Sequence, residues 1–246
     1  MLTESQLNDF RTDGHVTVPD VLDNRGVTGA LEDISNWSDA FVAEMTDQQR
    51  PWYIEPSDAS GVTLRKLDNP VAQRPVFTEI AKSQRIVSIV EQLLGKGVCV
   101  FFSQVFCKTP EVGGPKPVHQ DNFYFGPDDP DATLTVWIAL DKATVHNGCL
   151  FYGDGSHRGP IYPHVSPPDE PFNLQIPESC LGDYAMTAAA VPAGGISFHH
   201  GNTWHQSSGN TSTAPRRAAA FHYRRNDASL VKPALTYDPS VLIQIT

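Results

Sequence analysis

The 246-residue chain is 40% hydrophobic and 19% charged, too apolar for a disordered segment and long enough for one sizeable core. Its formal net charge of -10 disfavours a nucleic-acid backbone or an anionic membrane surface as partner. Four cysteines without a CxxC pair suggest neither a zinc knuckle nor a disulfide framework, and no apolar run reaches the ~20 residues that span a bilayer.

The N-terminus "MLTESQLNDF" lacks the basic start and apolar stretch of a signal peptide, so a cytoplasmic protein is expected. Thr3 is placed to cap a first helix whose apolar residues Leu7 and Phe10 lie three apart, and Gly14 ends it before the alternating "HVTVPDVL". A polar helical stretch from about Asp23 to Asp47 follows, then a proline-punctuated loop and a short strand within "GVTLRKLDN", residues 61–69. Residues 75–94 start with proline, repeat apolar residues at helical spacing and stop at Gly95, which predicts one long helix. Beyond Gly95 the segments "VCVFFSQVFCKTP", "ATLTVWIALD", "GCLFYGDGSH", "AAAVPAGGISFHH", "NTWHQSSGN" and "RRAAAFHYRR" are short β-type runs separated by turn residues. These predict a barrel or sandwich. No linker or repeat divides the chain, so one domain is expected over 1–246, with helical support over about 1–95 and a β core over about 96–230. The loop at 159–187 exceeds the usual length and is a lid candidate.

The chemistry starts at "KPVHQDNFYF". On a strand His119 and Asp121 project to the same face while Gln120 points away, which makes a two-toothed metal clamp. Non-haem iron sites use two histidines and one carboxylate, so a second histidine is needed downstream, where His199, His200, His205 and His222 are available. Position favours His205: two strands joined by "SSGNTSTAP" read as a hairpin that sets His205 and Arg216 at comparable heights facing one cavity. His199 and His200 fall in the turn entering the first of those strands, and His222 is expected in the core or behind the ligands. A metal beside a guanidinium suits 2-oxoglutarate, whose keto-acid end chelates iron while its far carboxylate takes an arginine.

The ordered blocks "LNDFRTDGHVTVPDVL", "VHQDNFYF", "LTVWIALDKATVHNGCLFYGDGSHRG", "ISFHHGNTWHQSSGN" and "RRAAAFHYRR" resemble the phytanoyl-CoA dioxygenase family of Fe(II)- and 2-oxoglutarate-dependent oxygenases. The resemblance implies a double-stranded β-helix, a jelly-roll with its site between two sheets, buttressed by N-terminal helices. It implies His119, Asp121 and His205 as iron ligands and Arg216 as the grip on the far carboxylate of 2-oxoglutarate. Ser207 matches a serine that assists that grip, and Trp137 matches a tryptophan lining the co-substrate pocket. Gln104 and Lys66 match further co-substrate contacts. Structural roles stay open beside these: Trp137 as a core aromatic, Ser207 as a turn hydroxyl, Gln104 as an inward polar residue, Lys66 as a solvated lysine. Arg217 should point away from Arg216 into a salt bridge or solvent.

The implied reaction couples oxidative decarboxylation of 2-oxoglutarate by O2, giving succinate and CO2, to hydroxylation of a substrate C–H bond. Halogenating relatives replace the carboxylate ligand with a small residue; Asp121 is present, which favours hydroxylation. Asn122, Phe123, Tyr124 and Phe125 extend beyond the clamp as candidate pocket residues, and His157 and Arg158 either hold the turn, the favoured role, or touch substrate. An acidic protein without a basic cluster at the lid fits a small metabolite better than an acyl-CoA. The competing readings are a non-catalytic barrel that binds a ligand or a metal, and a metal enzyme that uses no keto acid.

Overall fold

The computed structural model describes residues 1–56, 62–168 and 170–246. The first part is mainly helical: α1 (Glu4–Asp13), β1 (His15–Val18), α2 (Asn24–Glu44), α3 (Arg50–Tyr53), β2 (Lys66–Asp68), α4 (Pro70–Gln73), α5 (Pro75–Ala81) and α6 (Gln84–Leu94). Strands dominate after it: β3 (Val98–Lys108), β4 (Lys116–His119), the short α7 (Asp121–Phe125), β5 (Thr133–Ala139), β6 (Leu150–Gly153), β7 (Met186–Ala188), β8 (Ile196–His200), β9 (His205–Ser207), β10 (Arg216–Arg225) and β11 (Ile243–Gln244).

Local chemistry explains the boundaries. The Thr3 hydroxyl accepts from Gln6 N while the Gln6 side chain accepts from Thr3 N, a reciprocal cap that starts α1, and Gly14 ends it at φ 83°. β1 stops at Val18 because Pro19 has no N–H to donate. β2 occupies only 66–68 of the strand expected at 61–69, and Gly61 lies outside the described residues. The loop expected after Asp47 contains the one-turn α3, and its residues 57–61 are likewise outside the described set. The single helix expected over 75–94 is two helices. Ser83 takes an extended backbone (φ −60°, ψ 131°), restarting the helix so that Ile86, Ile89 and Val90 can bury on a different line from Phe77 and Ile80.

Two sheets form the β part. The larger has the order β1-β8-β5-β10-β3-β11, with β2 also on β3, and the smaller has the order β4-β9-β6-β7. Both are antiparallel. This is the expected double-stranded β-helix architecture with N-terminal helices. The helices cover one face of the larger sheet, where Phe77, Ile86, Val90, Val105, Phe198, Phe221 and Tyr223 make a continuous apolar core. Between the sheets lies a second, smaller cluster around Trp137, Cys149, Tyr152 and Ala220. The inward residues Ala218 and Ala220 are small, so this side leaves a cavity of about 860 Å³, within the usual range for ligand sites.

Candidate metal centre

Strand register builds the centre. β4 pairs antiparallel with β9 so that His119 stands opposite His205, with ring centroids 4.0 Å apart. Asp121 does not share the strand of His119, as the HxD spacing had suggested. β4 ends at His119, Gln120 is extended (φ −125°, ψ 131°), and Asp121 is the first residue of α7. The strand-to-helix turn still converges the pair, because Gln120 is drawn away: its side chain bonds Pro160 O, Asn202 O and Tyr162 N. One ligand atom from each of His119, Asp121 and His205 lies within 4.8 Å of the others. Asp121 Oδ1 is 4.0 Å from His119 Nε2 and 3.5 Å from His205 Nε2.

These residues fit a ferrous ion. Each histidine is held through Nδ1 by a backbone carbonyl, Pro117 O at 2.7 Å for His119 and Thr203 O at 3.0 Å for His205. If Nδ1 carries the proton, each Nε2 lone pair faces the cluster. Burial pushes the His119 imidazole well below its ordinary pKa, with His205 beside it adding to the shift, so it stays neutral as a ligand must. Burial works to raise the Asp121 carboxyl, yet His205 and the His199 hydrogen bond hold it well below the ordinary range, so it is ionised.

A polar row behind Asp121 escaped the sequence reading in part. Thr135 pairs with His199 on β8 and with His222 on β10, so the three share one height and one face of the larger sheet. Thr135 Oγ1 donates to Asp121 Oδ2 at 2.6 Å, His199 Nε2 lies 3.1 Å from the same oxygen, and His222 Nδ1 is 2.8 Å from Thr135 Oγ1. The Asp121 oxygen away from the histidine pair is therefore pinned, and Oδ1 is left for metal. His222 takes the expected place behind the ligands. His199 and His200 are in β8, not in a turn; His200 points elsewhere, 3.1 Å from Asp131. Thr135 had one legible signal: polar Thr133 and Thr135 alternating with apolar residues in a buried strand.

Arg216 and His205 face one cavity, but not across a hairpin. β9 pairs with β4 and β6 in the smaller sheet, whereas β10 pairs with β3 and β5 in the larger. The connection crosses between sheets, and the two side chains meet in the space enclosed. Arg216 is 3% exposed, yet its Nε and one terminal nitrogen have no hydrogen-bond partner among the described residues. Burial lowers its pKa to about 10, which leaves it charged at neutral pH. An unpaired buried guanidinium is costly unless an anion completes it. Ser207 and Trp137 line the same cavity, with the Arg216 guanidinium 5.6 Å from the Trp137 ring centre. Gln104 and Lys66 line it too and are tied together by Asp68, which accepts from Gln104 at 2.8 Å and Lys66 at 2.8 Å. Arg217, one residue on, points away and makes a two-bond pair with Asp141 at 2.8 and 2.9 Å.

The substrate candidates divide. Tyr124 and Phe125 line the cavity. Asn122 does not: it is 1% exposed and braces Asn202, Pro130 O and Thr133. Phe123 stacks on His164 at 4.1 Å, outside the cavity lining. Arg158 reaches back to the carbonyls of Arg11 and Thr12, and the His157 ring lies beside Gly14 and His200. Asn122 and Phe123 leave the cavity because α7 turns successive side chains by about 100° rather than alternating them. Lining residues that the sequence did not reveal include Lys116, Arg65, Phe172 and Tyr237. Within 159–187, Leu174 and Ile176 reach the clamp, with Ile176 N donating to Val118 O at 2.9 Å and Tyr124 Oη to Leu174 O at 3.2 Å; residue 169 is outside the described set. No helix among the described residues is long and apolar enough to cross a membrane.

The family model for phytanoyl-CoA dioxygenase matches residues 10–218. A probable alpha-ketoglutarate-dependent hypophosphite dioxygenase from Stutzerimonas stutzeri is 26% identical over 232 residues, covering 93% of this chain and 80% of that protein. The phytanoyl-CoA dioxygenase domain-containing protein 1 of Danio rerio is 28% identical over 186 residues, covering 74% of this chain and 63% of that relative, so this chain aligns with less than two thirds of its length. The crystal structure of the non-heme alpha ketoglutarate dependent carbocyclase SnoK from nogalamycin biosynthesis shares the fold, with a TM-score of 0.78, 24% identity, and coverage of 100% of this chain and 97% of that one. The family pattern thus runs through both sheets and ends on the donor set its chemistry requires, and the chain belongs to the phytanoyl-CoA dioxygenase family of Fe(II)- and 2-oxoglutarate-dependent oxygenases.

Proposed function

We propose that this protein, as a single oxygenase domain, hydroxylates a C–H bond of a small-molecule substrate while 2-oxoglutarate is converted to succinate and CO2. His119, Asp121 and His205 hold the iron, and Arg216 with Ser207 receives the far carboxylate of 2-oxoglutarate. The observation that carries this reading is the buried Arg216 with two unpartnered nitrogens in the same cavity as a donor set of two histidines and one carboxylate. Fe(II) held by His119, Asp121 and His205 would supply the activation of O2.

The chain's own residues do the rest. The carbonyls of Pro117 and Thr203 orient the imidazoles, and Thr135 and His199 hold one Asp121 oxygen so that the other would be left to take the metal. Trp137 walls the co-substrate pocket beside Arg216, and Gln104, Lys66 and Asp68 form a bonded strip along the cavity. Tyr124 and Phe172 give the substrate side an apolar lining that limits water. Retention of Asp121 supports hydroxylation over halogenation.

Anaerobic titration with Fe(II) and 2-oxoglutarate tests the reading: chelation of the keto acid gives a visible charge-transfer band. Absence of that band in the folded protein overturns it. With the band in hand, small metabolites are screened for stimulated succinate release.

A further inference from the structure

Three cations meet around one aromatic ring on the cavity wall. The Arg65 guanidinium carbon lies 4.3 Å from the centre of Phe172, Lys116 Nζ lies 4.3 Å from it and Lys66 Nζ 6.0 Å. Two of them have counter-charges. Lys66 is paired with Asp68 at 2.8 Å, and Glu55 and Glu170 act on Arg65.

Lys116 has none of its own among the described residues. Its ammonium donates to the Tyr124 hydroxyl at 3.4 Å and to the Phe172 carbonyl, two of three available N–H groups. Among the described residues it makes no ion pair, and the carboxylate that acts on it is Asp121, which the metal claims. Burial, with Lys66 and Arg65 adding to it, pushes its pKa down to about 7, so near neutral pH it is only partly protonated until an arriving anion holds the proton on it. Gathering like charges in a desolvated wall is costly until an anion settles among them.

The position is suited to a substrate. Tyr124 stands edge-on to His119, with ring centroids 5.9 Å apart at 84°, so the ammonium bonded to its hydroxyl is one ring away from the metal donors. Arg216 lies on β10 in the other sheet and pairs in register with Lys108, whose side chain donates to the carbonyls of Gly114 and Ser208, whereas Lys116 stands opposite Ser207 in the β4–β9 pairing. Between Lys116 and His119 stands the Tyr124 ring.

We propose that Lys116, with Arg65 beside it, is the specificity-determining anion subsite for the primary substrate: a small molecule whose oxyanion, a carboxylate or phosphonate, is carried on an apolar body. This rests on the oxygenase reading above. The oxyanion docks on the ammonium, the apolar part lies along Tyr124 and Phe172, and a C–H bond near that end is presented to the metal.

The test uses the protein loaded anaerobically with Fe(II) and saturating 2-oxoglutarate, with the charge-transfer band confirming loading in every variant. Phenylacetate, phenylphosphonate and the neutral phenylacetamide are then titrated by calorimetry. At least one anion is expected to bind about tenfold or more tightly than the amide, a difference that Lys116→Gln removes and Lys116→Arg largely restores. Whichever anion binds more tightly identifies the headgroup. Equal binding of anions and amide, no binding of either anion, or undiminished anion binding in Lys116→Gln overturns the subsite. Loss of the band as anion is added places the anion at the co-substrate station and also overturns it. Failure to form the band at the outset is a failure of the oxygenase reading instead.

Discussion

On the helix side of β10, Ala219, Phe221 and Tyr223 are at most 1% exposed and pack into the large core, Phe221 edge-on to Phe77 and Tyr223 bonded to Ala81 O at 2.7 Å. On the cavity side the same strand presents Arg216, Ala218, Ala220 and His222, two polar groups separated by two small ones. One face is filled to exclude water; the other keeps space and holds charges whose partners come from outside the chain. A β-strand can do both because its side chains alternate, so stability and chemistry occupy neighbouring residues without sharing atoms.

Mutations can break this division or sharpen it. The largest loss is expected for Asp121→Ala: succinate formation falls to background while far-UV dichroism and the unfolding transition show a folded protein. On the opposite face Phe221→Ala should cost about 3–5 kcal/mol of stability in denaturant unfolding, yet leave the 2-oxoglutarate affinity of the folded fraction unchanged. Arg216→Ala should raise the KM for 2-oxoglutarate roughly a hundredfold, with activity partly recovered at high co-substrate, since a charged hydrogen-bonded pair is worth about 1.5–3 kcal/mol. An unchanged KM would remove Arg216 from the co-substrate site. Thr135→Val, which keeps the shape but not the hydroxyl bound to Asp121, should weaken Fe(II) affinity about tenfold, measured by metal titration. The smallest effect belongs to Arg217→Gln: about 1 kcal/mol or less, because its pair with Asp141 is partly solvated, and no change in KM. Two adjacent arginines would then differ by mechanism as well as by size.

Much of the architecture was legible. Thr3, Gly14, Pro75 and Gly95 mark helix ends by local rules, and the alternation in "RRAAAFHYRR" already separates Arg216 from Arg217. The break at Ser83 was not legible, because apolar spacing is satisfied on both sides of it and only docking against the sheet selects two helices. Asn122 and Phe123 leave the cavity for a related reason: the HxD spacing extends the strand past His119, whereas α7 begins at Asp121.

By itself the sequence determined which chemical groups are available and the local periods that carry them: an HxD pair, histidines downstream, an arginine after a turn, and strands with one small-and-polar face. Tertiary structure alone decided which groups meet. The opposition of His119 and His205, the row from His199 through Thr135 to His222, and the gathering of Arg65, Lys66 and Lys116 at Phe172 all depend on contacts between segments distant in the chain. Those contacts depend on pairing register and sheet packing, which answer to burial across the whole molecule and leave no local pattern to read.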